Sequence, residues 1–140
     1  TKLFLQDMVK RDSGYILNVA SIAGFMPGPL MATYYSTKAY VVRLSEAIRE
    51  ELHKEKSKVQ ISVLCPGPVD TNFNKVADVK FNLRSLSSEE VAKYGIDKAL
   101  SGKFIIIPET TVKIARVLSK ISPDTLVAKV CYHMQEKKRK

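Results

Sequence analysis

The sequence predicts an α/β protein with a doubly wound parallel sheet, and three observations lead to that fold class. Two short apolar segments, 15–20 and 59–64, have the near-continuous hydrophobicity of strands buried in a parallel sheet. The segment between them, about 34–55, contains no Gly or Pro and carries apolar residues at helical spacing. Strand, helix and strand in this order form a βαβ unit, which implies parallel strands and a right-handed crossover.

Helices and one further strand surround this unit. Ser87 and Glu90 have the spacing of a capping box, which predicts a helix start. Ser122 before Pro123 predicts another. The remaining predicted elements are a helix over 1–10 that the chain enters without a cap, a helix from 87 to about 100, a strand over 104–107, and helices over 110–120 and 123–137.

Length, composition and cysteine usage exclude several classes of protein. The 140 residues suffice for one modest core, and 45% hydrophobic with 26% charged residues is typical of a globular domain. Cys65 and Cys131 are distant from each other and from any histidine cluster, so we expect reduced, buried thiols and no metal site. No apolar segment approaches the roughly 18 residues of a membrane-spanning helix, and the first ten residues lack a signal sequence. A soluble, cytoplasmic protein is expected.

The net charge of +9 is concentrated towards the end of the chain, which closes with Lys137-Lys138-Arg139-Lys140. A basic end can contact nucleic acid or an anionic membrane. No aromatic residues alternate with these cations, as they would in a single-strand binding surface. We therefore favour a solvated terminus, expect no nucleic-acid partner, and keep membrane contact by this segment as the less favoured alternative.

Chemistry-bearing side chains follow the strands, where open parallel sheets bind ligands. Ser21 comes directly after the first strand, and Tyr34 and Lys38 share one face at the start of the long helix. An ammonium group near a phenol favours the phenolate of a group whose pKa is ordinarily about 10, as acid/base catalysis near neutral pH requires. A solvated i,i+4 pair is the plainer interpretation of Tyr34 and Lys38 alone, but Ser21, thirteen residues earlier, favours a site. Tyr35 is the competing phenol, which we expect to pack.

Three motifs together carry a family resemblance. They are Asn18-Val19-Ala20-Ser21-Ile22-Ala23-Gly24, Tyr34-Tyr35-Ser36-Thr37-Lys38 and Pro66-Gly67-Pro68-Val69-Asp70-Thr71. With these motifs in this order, the sequence resembles the short-chain dehydrogenase/reductase family, most strongly over residues 1–75. The resemblance implies a Rossmann-like fold and an oxidoreductase that transfers a hydride between NAD(P)(H) and a carbonyl/alcohol substrate. It also implies NADP in preference to NAD, and a homodimer or homotetramer.

The resemblance assigns a role to each matching residue. Tyr34 is implied to be the catalytic acid/base and Ser21 to orient and polarise the substrate oxygen. Lys38 is implied to favour the Tyr34 phenolate and to bind the nicotinamide ribose hydroxyls. The implied cofactor-binding residues are Tyr34, Lys38, Pro66, Gly67, Val69 and Thr71. Residues 72–86 are implied to form a mobile lid.

The sequence also departs from the family pattern. The glycine-rich turn, the Asn-Asn-Ala-Gly segment and the asparagine that precedes the catalytic serine are all missing, and none of the six glycines forms G-x-G-x-x-G. We therefore expect residues 1–140 to be the C-terminal portion of one dinucleotide-binding domain, inactive by itself. The alternative is a catalytically silent piece that acts in folding or oligomerisation. Phe25, Met26, Phe73 and Phe81 are candidates for an apolar pocket wall or, equally, for core packing.

Overall fold

The computed structural model describes residues 1–71 and 86–139. In chain order the elements are α1 (Lys2–Lys10), β1 (Tyr15–Val19), a 3-10 turn (Ile22–Phe25), α2 (Ala32–Lys54), β2 (Gln60–Leu64), β3 (Val69–Asp70), β4 (Leu86–Ser87), α3 (Ser88–Leu100), β5 (Ile105–Ile106), α4 (Thr110–Ile121) and α5 (Asp124–Arg139).

Three strands form a parallel sheet in the order β1-β2-β5. Ile16 pairs with Ile61, and Val63 pairs with Ile105, so β2 lies in the centre. This confirms the predicted parallel sheet and the βαβ unit. A second, two-residue parallel pair joins β3 to β4 through Val69 and Leu86 and was not predicted.

Helices cover both faces of the sheet, because successive side chains of a strand point to opposite sides. On one face, Leu52 of α2 packs with Ile61 of β2, and α1 packs against the same cluster. On the other face, Val91 of α3 packs with Leu64 and Ile106. The predicted doubly wound arrangement is therefore confirmed.

The burial of β1 differs from the prediction. The apolar run over 15–20 predicted a strand buried on both sides, but Tyr15 and Val19 are each more than half exposed. Within the described residues β1 pairs along one edge only, and the helices cover its middle rather than its ends. An apolar run therefore predicted the strand correctly and its burial incorrectly.

Several boundaries also differ. The helix predicted from Tyr34 begins at Ala32, and the third strand is limited to Ile105–Ile106. The capping box is confirmed: the Ser87 hydroxyl accepts from the Glu90 N–H at 3.2 Å, and the Glu90 carboxylate accepts from the Ser87 N–H at 2.9 Å. Ser122 was predicted as the N-cap of α5, but α5 begins two residues later, at Asp124, and Ser122 is the C-cap of α4.

Both cysteines are free and buried, as predicted. Burial raises the pKa of the Cys65 thiol to about 12, so this thiol stays protonated at neutral pH. In the described part of the chain, none of the helices has both the length and the apolar character needed to cross a bilayer.

Candidate active site

Ser21 lies at the carboxyl edge of the sheet, between two loops. The ladder extends one residue past β1, since the Ala20 N–H donates to the Leu64 carbonyl at 2.8 Å. The buried Ser21 hydroxyl then accepts from the Ala23 N–H at 3.2 Å and donates to the Pro66 carbonyl at 3.4 Å. The loop after β1 and the loop after β2 are thus joined through this hydroxyl.

Gly24 allows the Ser21 loop to lie directly on α2. A Cβ atom at Gly24 would stand 2.8 Å from the Lys38 carbonyl oxygen and 2.9 Å from Val42 Cγ2. Both distances are shorter than real Cβ contacts, so only glycine fits without movement of the chain. This close approach places Ser21 near the helix turn that carries Lys38.

Lys38 connects the end of β1 to Tyr34. Its Nζ donates to the Val19 carbonyl at 3.4 Å and lies 5.8 Å from the centre of the Tyr34 ring. The second distance is within the range in which a cation is attracted by an aromatic face. The lysine is only partly exposed. The structure therefore brings Ser21, Tyr34 and Lys38 to one edge of the sheet.

The neighbouring tyrosine has a different environment. The Tyr35 hydroxyl accepts from Gln135 Nε2 of α5 at 2.6 Å, and its ring lies against Gly28. Burial raises the pKa of Tyr35 above its usual value, and the nearby Cys131 adds to the effect. Tyr35 packs, as expected, which leaves Tyr34 as the candidate phenol.

The loop after β2 contacts the beginning of α4. The Gly67 N–H donates to Glu109 Oε2 at 3.2 Å, and a Cβ at Gly67 would stand 2.8 Å from Val112 Cγ2. Of the implied cofactor-binding residues, Pro66 is buried, Gly67 and Val69 are partly exposed, and Thr71 is exposed. Pro66 is the one that meets Ser21 directly.

Glu109 was not singled out from the sequence. Its Oε1 is buried without a hydrogen-bond partner among the described residues, while Oε2 holds the Gly67 N–H. One signal could have identified it. Glu109 follows the third strand, and residues after the carboxyl ends of parallel strands lie at the ligand-binding edge.

Phe25 is partly buried and packs against the core. It packs on the buried cluster that contains Ala20 and Val42, and the Arg116 guanidinium lies 4.6 Å from its ring centre. Met26 is partly exposed. The predicted lid over 72–86 lies outside the described residues except for Leu86 in β4, and Phe73 and Phe81 lie outside them as well.

A parallel sheet with a serine, a tyrosine and a lysine at its carboxyl edge agrees with the family that sequence comparison identifies. A family model described as "short chain dehydrogenase" matches residues 1–80, and the chain belongs to that family.

Curated relatives match over most of this chain. It is 32% identical over 125 residues to mouse "Estradiol 17-beta-dehydrogenase 11", covering 89% of this chain and 42% of the relative. It is 34% identical over 120 residues to mouse "17-beta-hydroxysteroid dehydrogenase 13", covering 85% and 39%. A third relative, "Very-long-chain 3-oxoacyl-CoA reductase" of Laccaria bicolor, is 45% identical over 60 residues, covering 43% and 18%. The chain thus spans about two fifths of the length of the two mouse relatives.

Solved structures confirm the Rossmann-like fold. One described under "7beta-hydroxysteroid dehydrogenase stereoselectivity" superposes with a TM-score of 0.76 at 19% identity, covering 93% of this chain and 50% of that one. A short chain dehydrogenase from Burkholderia cenocepacia in complex with NADP superposes with a TM-score of 0.72 at 21% identity, covering 89% and 50%. At these identities the likeness shows the fold alone.

Proposed function

We propose that this chain is the C-terminal portion, residues 1–140, of a dinucleotide-binding domain in an NAD(P)-dependent oxidoreductase that interconverts a carbonyl and an alcohol. One observation carries the proposal. Lys38 Nζ lies 3.4 Å from the Val19 carbonyl and 5.8 Å from the Tyr34 ring centre, at the edge where Ser21 joins the two loops. A hydroxyl, a phenol and an ammonium group in one place are what proton transfer to a carbonyl oxygen needs.

Each of the three residues has a distinct part in the proposed reaction. Tyr34 Oη gives its proton to the substrate oxygen in reduction and removes it in oxidation, while the Lys38 ammonium favours the phenolate that remains. The Ser21 hydroxyl donates to the substrate oxygen in place of the Pro66 carbonyl. Its present bond of 3.4 Å is long, so little is lost when the acceptor changes.

The nicotinamide cofactor supplies the hydride when it is bound. The residues proposed to hold it are Tyr34, Lys38, Pro66, Gly67, Val69 and Thr71. The chemistry of this set fits the nicotinamide end, because the Lys38 ammonium is partly exposed at the end of β1 and suits ribose hydroxyls. NADP is preferred over NAD; similar solved structures are described in complex with NADP, NADPH or NAD.

The proposed activity belongs to the whole protein rather than to these residues alone. No G-x-G-x-x-G turn that could hold the pyrophosphate occurs in the sequence. We therefore expect the isolated chain to show no turnover and no micromolar binding of NADP or NAD in calorimetry. Micromolar binding by the isolated chain would contradict the proposal that the pyrophosphate-binding part of the cofactor site lies outside residues 1–140.

A small carbonyl/alcohol compound is the proposed substrate. Two relatives are named as steroid dehydrogenases and one as a 3-oxoacyl-CoA reductase, which supports this reaction class. A homodimer or homotetramer in the cytoplasm is also proposed, without a nucleic-acid partner. The exposed side chains of Leu3 and Phe4 on α1 and Tyr40 on α2 support an oligomer built on these two helices.

Two neighbouring tyrosines offer a matched test of the mechanism. In the intact protein with NADPH and small ketones, Tyr34→Phe should lower kcat by about a hundredfold or more, because it removes the proton donor. Tyr35→Phe removes the same atom one residue away, where it bonds Gln135, and should leave kcat unchanged. Normal ketone reduction by Tyr34→Phe would remove the basis of the proposal.

A further inference from the structure

Helix α4 has two apolar faces, and one of them is turned to solvent. Val112 faces inward and packs on the core. At about 100° per residue, the opposite side of the helix carries a stripe at positions i, i+3, i+4 and i+7. The residues of this outward stripe, each more than half exposed, are Ile114, Val117, Leu118 and Ile121. No residue of α4 is buried.

The charged residues of α4 are all basic. Lys113 and Lys120 lie along one flank of the outward stripe, whereas Arg116 is turned inward onto the Phe25 ring. No acidic residue occurs between Thr110 and Ile121. The next helix has a comparable exposed apolar row but mixed charges. On α5, Leu126, Val130 and Met134 are about half exposed at four-residue intervals, and the same helix carries acidic as well as basic side chains.

Helix α3 provides a contrast within the same molecule. Ile96 and Leu100 are also exposed and four residues apart. Their helix, however, carries three acidic and two basic side chains: Glu89, Glu90 and Asp97 against Lys93 and Lys98. Exposed apolar pairs therefore occur on both helices, whereas a wholly basic flank distinguishes α4 from α3.

We propose that α4 lies on the surface of a membrane that contains anionic lipids. The outward stripe enters the boundary between headgroups and acyl chains, and Lys113 and Lys120 reach the headgroup phosphates. Amphipathic helices with one apolar face and cationic flanks bind bilayers in this orientation, and lysine side chains extend to the headgroups while their stems stay in apolar surroundings. A helix of 12 residues is too short to span a bilayer and suits a position parallel to it.

Charge favours lipid over a second copy of this chain. The net charge of +9 includes two lysines, Lys113 and Lys120, that lie next to the stripe. A second copy would place like charges beside each other, whereas anionic headgroups neutralise them. The cationic flank is thus complementary to the lipid, and the proposal does not depend on the proposed enzymatic function.

Vesicle co-sedimentation tests the outward stripe. The unaltered protein should bind phosphatidylcholine vesicles that contain phosphatidylserine more tightly than vesicles of phosphatidylcholine alone. Ile114→Ser with Ile121→Ser should weaken this binding about tenfold or more, because two large side chains no longer leave water. The matched pair Ile96→Ser with Leu100→Ser on α3 should bind like the unaltered protein, and circular dichroism should show equal helix content in all three.

A second pair of variants tests the flank. Lys113→Gln with Lys120→Gln should weaken binding to the serine-containing vesicles, and Lys93→Gln with Lys98→Gln, an equal charge change on α3, should weaken it much less. Added salt should weaken binding of the unaltered protein, since the Debye length is about 8 Å at physiological ionic strength. The proposal is overturned if the Ile114/Ile121 variant binds like the unaltered protein, or if the unaltered protein ignores these vesicles. A dimer that the serine pair dissociates, without vesicle binding, would assign the outward stripe to a second copy.

Discussion

The two described regions, residues 1–71 and residues 86–139, differ in where their long-range side-chain hydrogen bonds lead. Within the first region, side chains connect distant elements: Asn18 Nδ2 donates to the Ser45 hydroxyl at 2.8 Å, and the Ser21 hydroxyl donates to the Pro66 carbonyl. In the second region, long-range side-chain hydrogen bonds lead back to the first: Gln135 donates to Tyr35, and Glu109 accepts from Gly67. The βαβ unit therefore organises the molecule, and the later helices are built onto it.

Burial separates one helix of the first region, α2, from one helix of the second, α4. Helix α2 buries Val42, Ser45, Ile48 and Leu52 against the sheet, whereas α4 buries none of its residues. A helix that lies across a sheet has its inward face fixed by that sheet. Helix α4 instead keeps a row of four exposed apolar side chains, which is the basis of the proposed membrane contact.

Two glycines give the largest expected contrast between the regions. Gly24→Ala should lower the free energy of unfolding by about 3 kcal/mol, because the new methyl group meets the Lys38 carbonyl, which is fixed in a helix. Gly95→Ala should change it little, because its obstacle is the movable end of Leu64 and alanine favours the helix by about 1 kcal/mol. Urea unfolding measures both, and equal losses would show that the two regions pack alike.

Two valines sharpen the comparison of burial. Val42 is fully buried, and Val42→Ala should cost about 2 kcal/mol through the lost contacts and the cavity. Val117 is 59% exposed, and Val117→Ala should cost less than about 0.5 kcal/mol. Thermal or urea unfolding of both variants decides this, and a loss at Val117 as large as that at Val42 would mean that α4 is packed against something within the chain.

The smallest expected effect concerns pH. The backbone N–H of Lys58 donates to Asp12 at 2.7 Å, which holds the pKa of the Asp12 carboxyl below its usual value of 3.8. Because the folded pKa is the lower one, the stabilisation is complete above about pH 4 and is lost as the pH falls through the folded value. Asp12→Asn should therefore reduce the acid sensitivity of unfolding, measured from pH 6 down to about pH 3. An unchanged acid profile would show that the carboxylate does not stabilise the fold.

Much of the first region was predictable because its determinants are local or periodic. The apolar runs predicted β1 and β2, the uninterrupted segment predicted α2, and motif order placed Ser21, Tyr34 and Lys38 at one edge. Parallel pairing then brings the ends of the strands together whatever the detailed packing. The same reasoning predicted the capping box at Ser87, since its two bonds span only three residues.

Other features depend on contacts between residues far apart in the chain. The bond between Tyr35 and Gln135 joins residues 100 positions apart, and that between Gly67 and Glu109 joins residues 42 apart. No local pattern encodes such pairs. The exposure of β1 was mispredicted for a related reason: hydrophobicity indicates that a strand can be buried, whereas burial depends on what packs next to it.

Isotope transfer tests the proposed role of Tyr34 in hydride-dependent ketone reduction. The intact protein is supplied with a ketone and with NADPH that carries deuterium at the transferred position, and the alcohol is analysed by mass spectrometry. We expect deuterium to reach the carbinol carbon, with the transfer slowed about a hundredfold or more by Tyr34→Phe and unchanged by Tyr35→Phe. Deuterium transfer at the normal rate by Tyr34→Phe would contradict the assignment of Tyr34 as the acid/base.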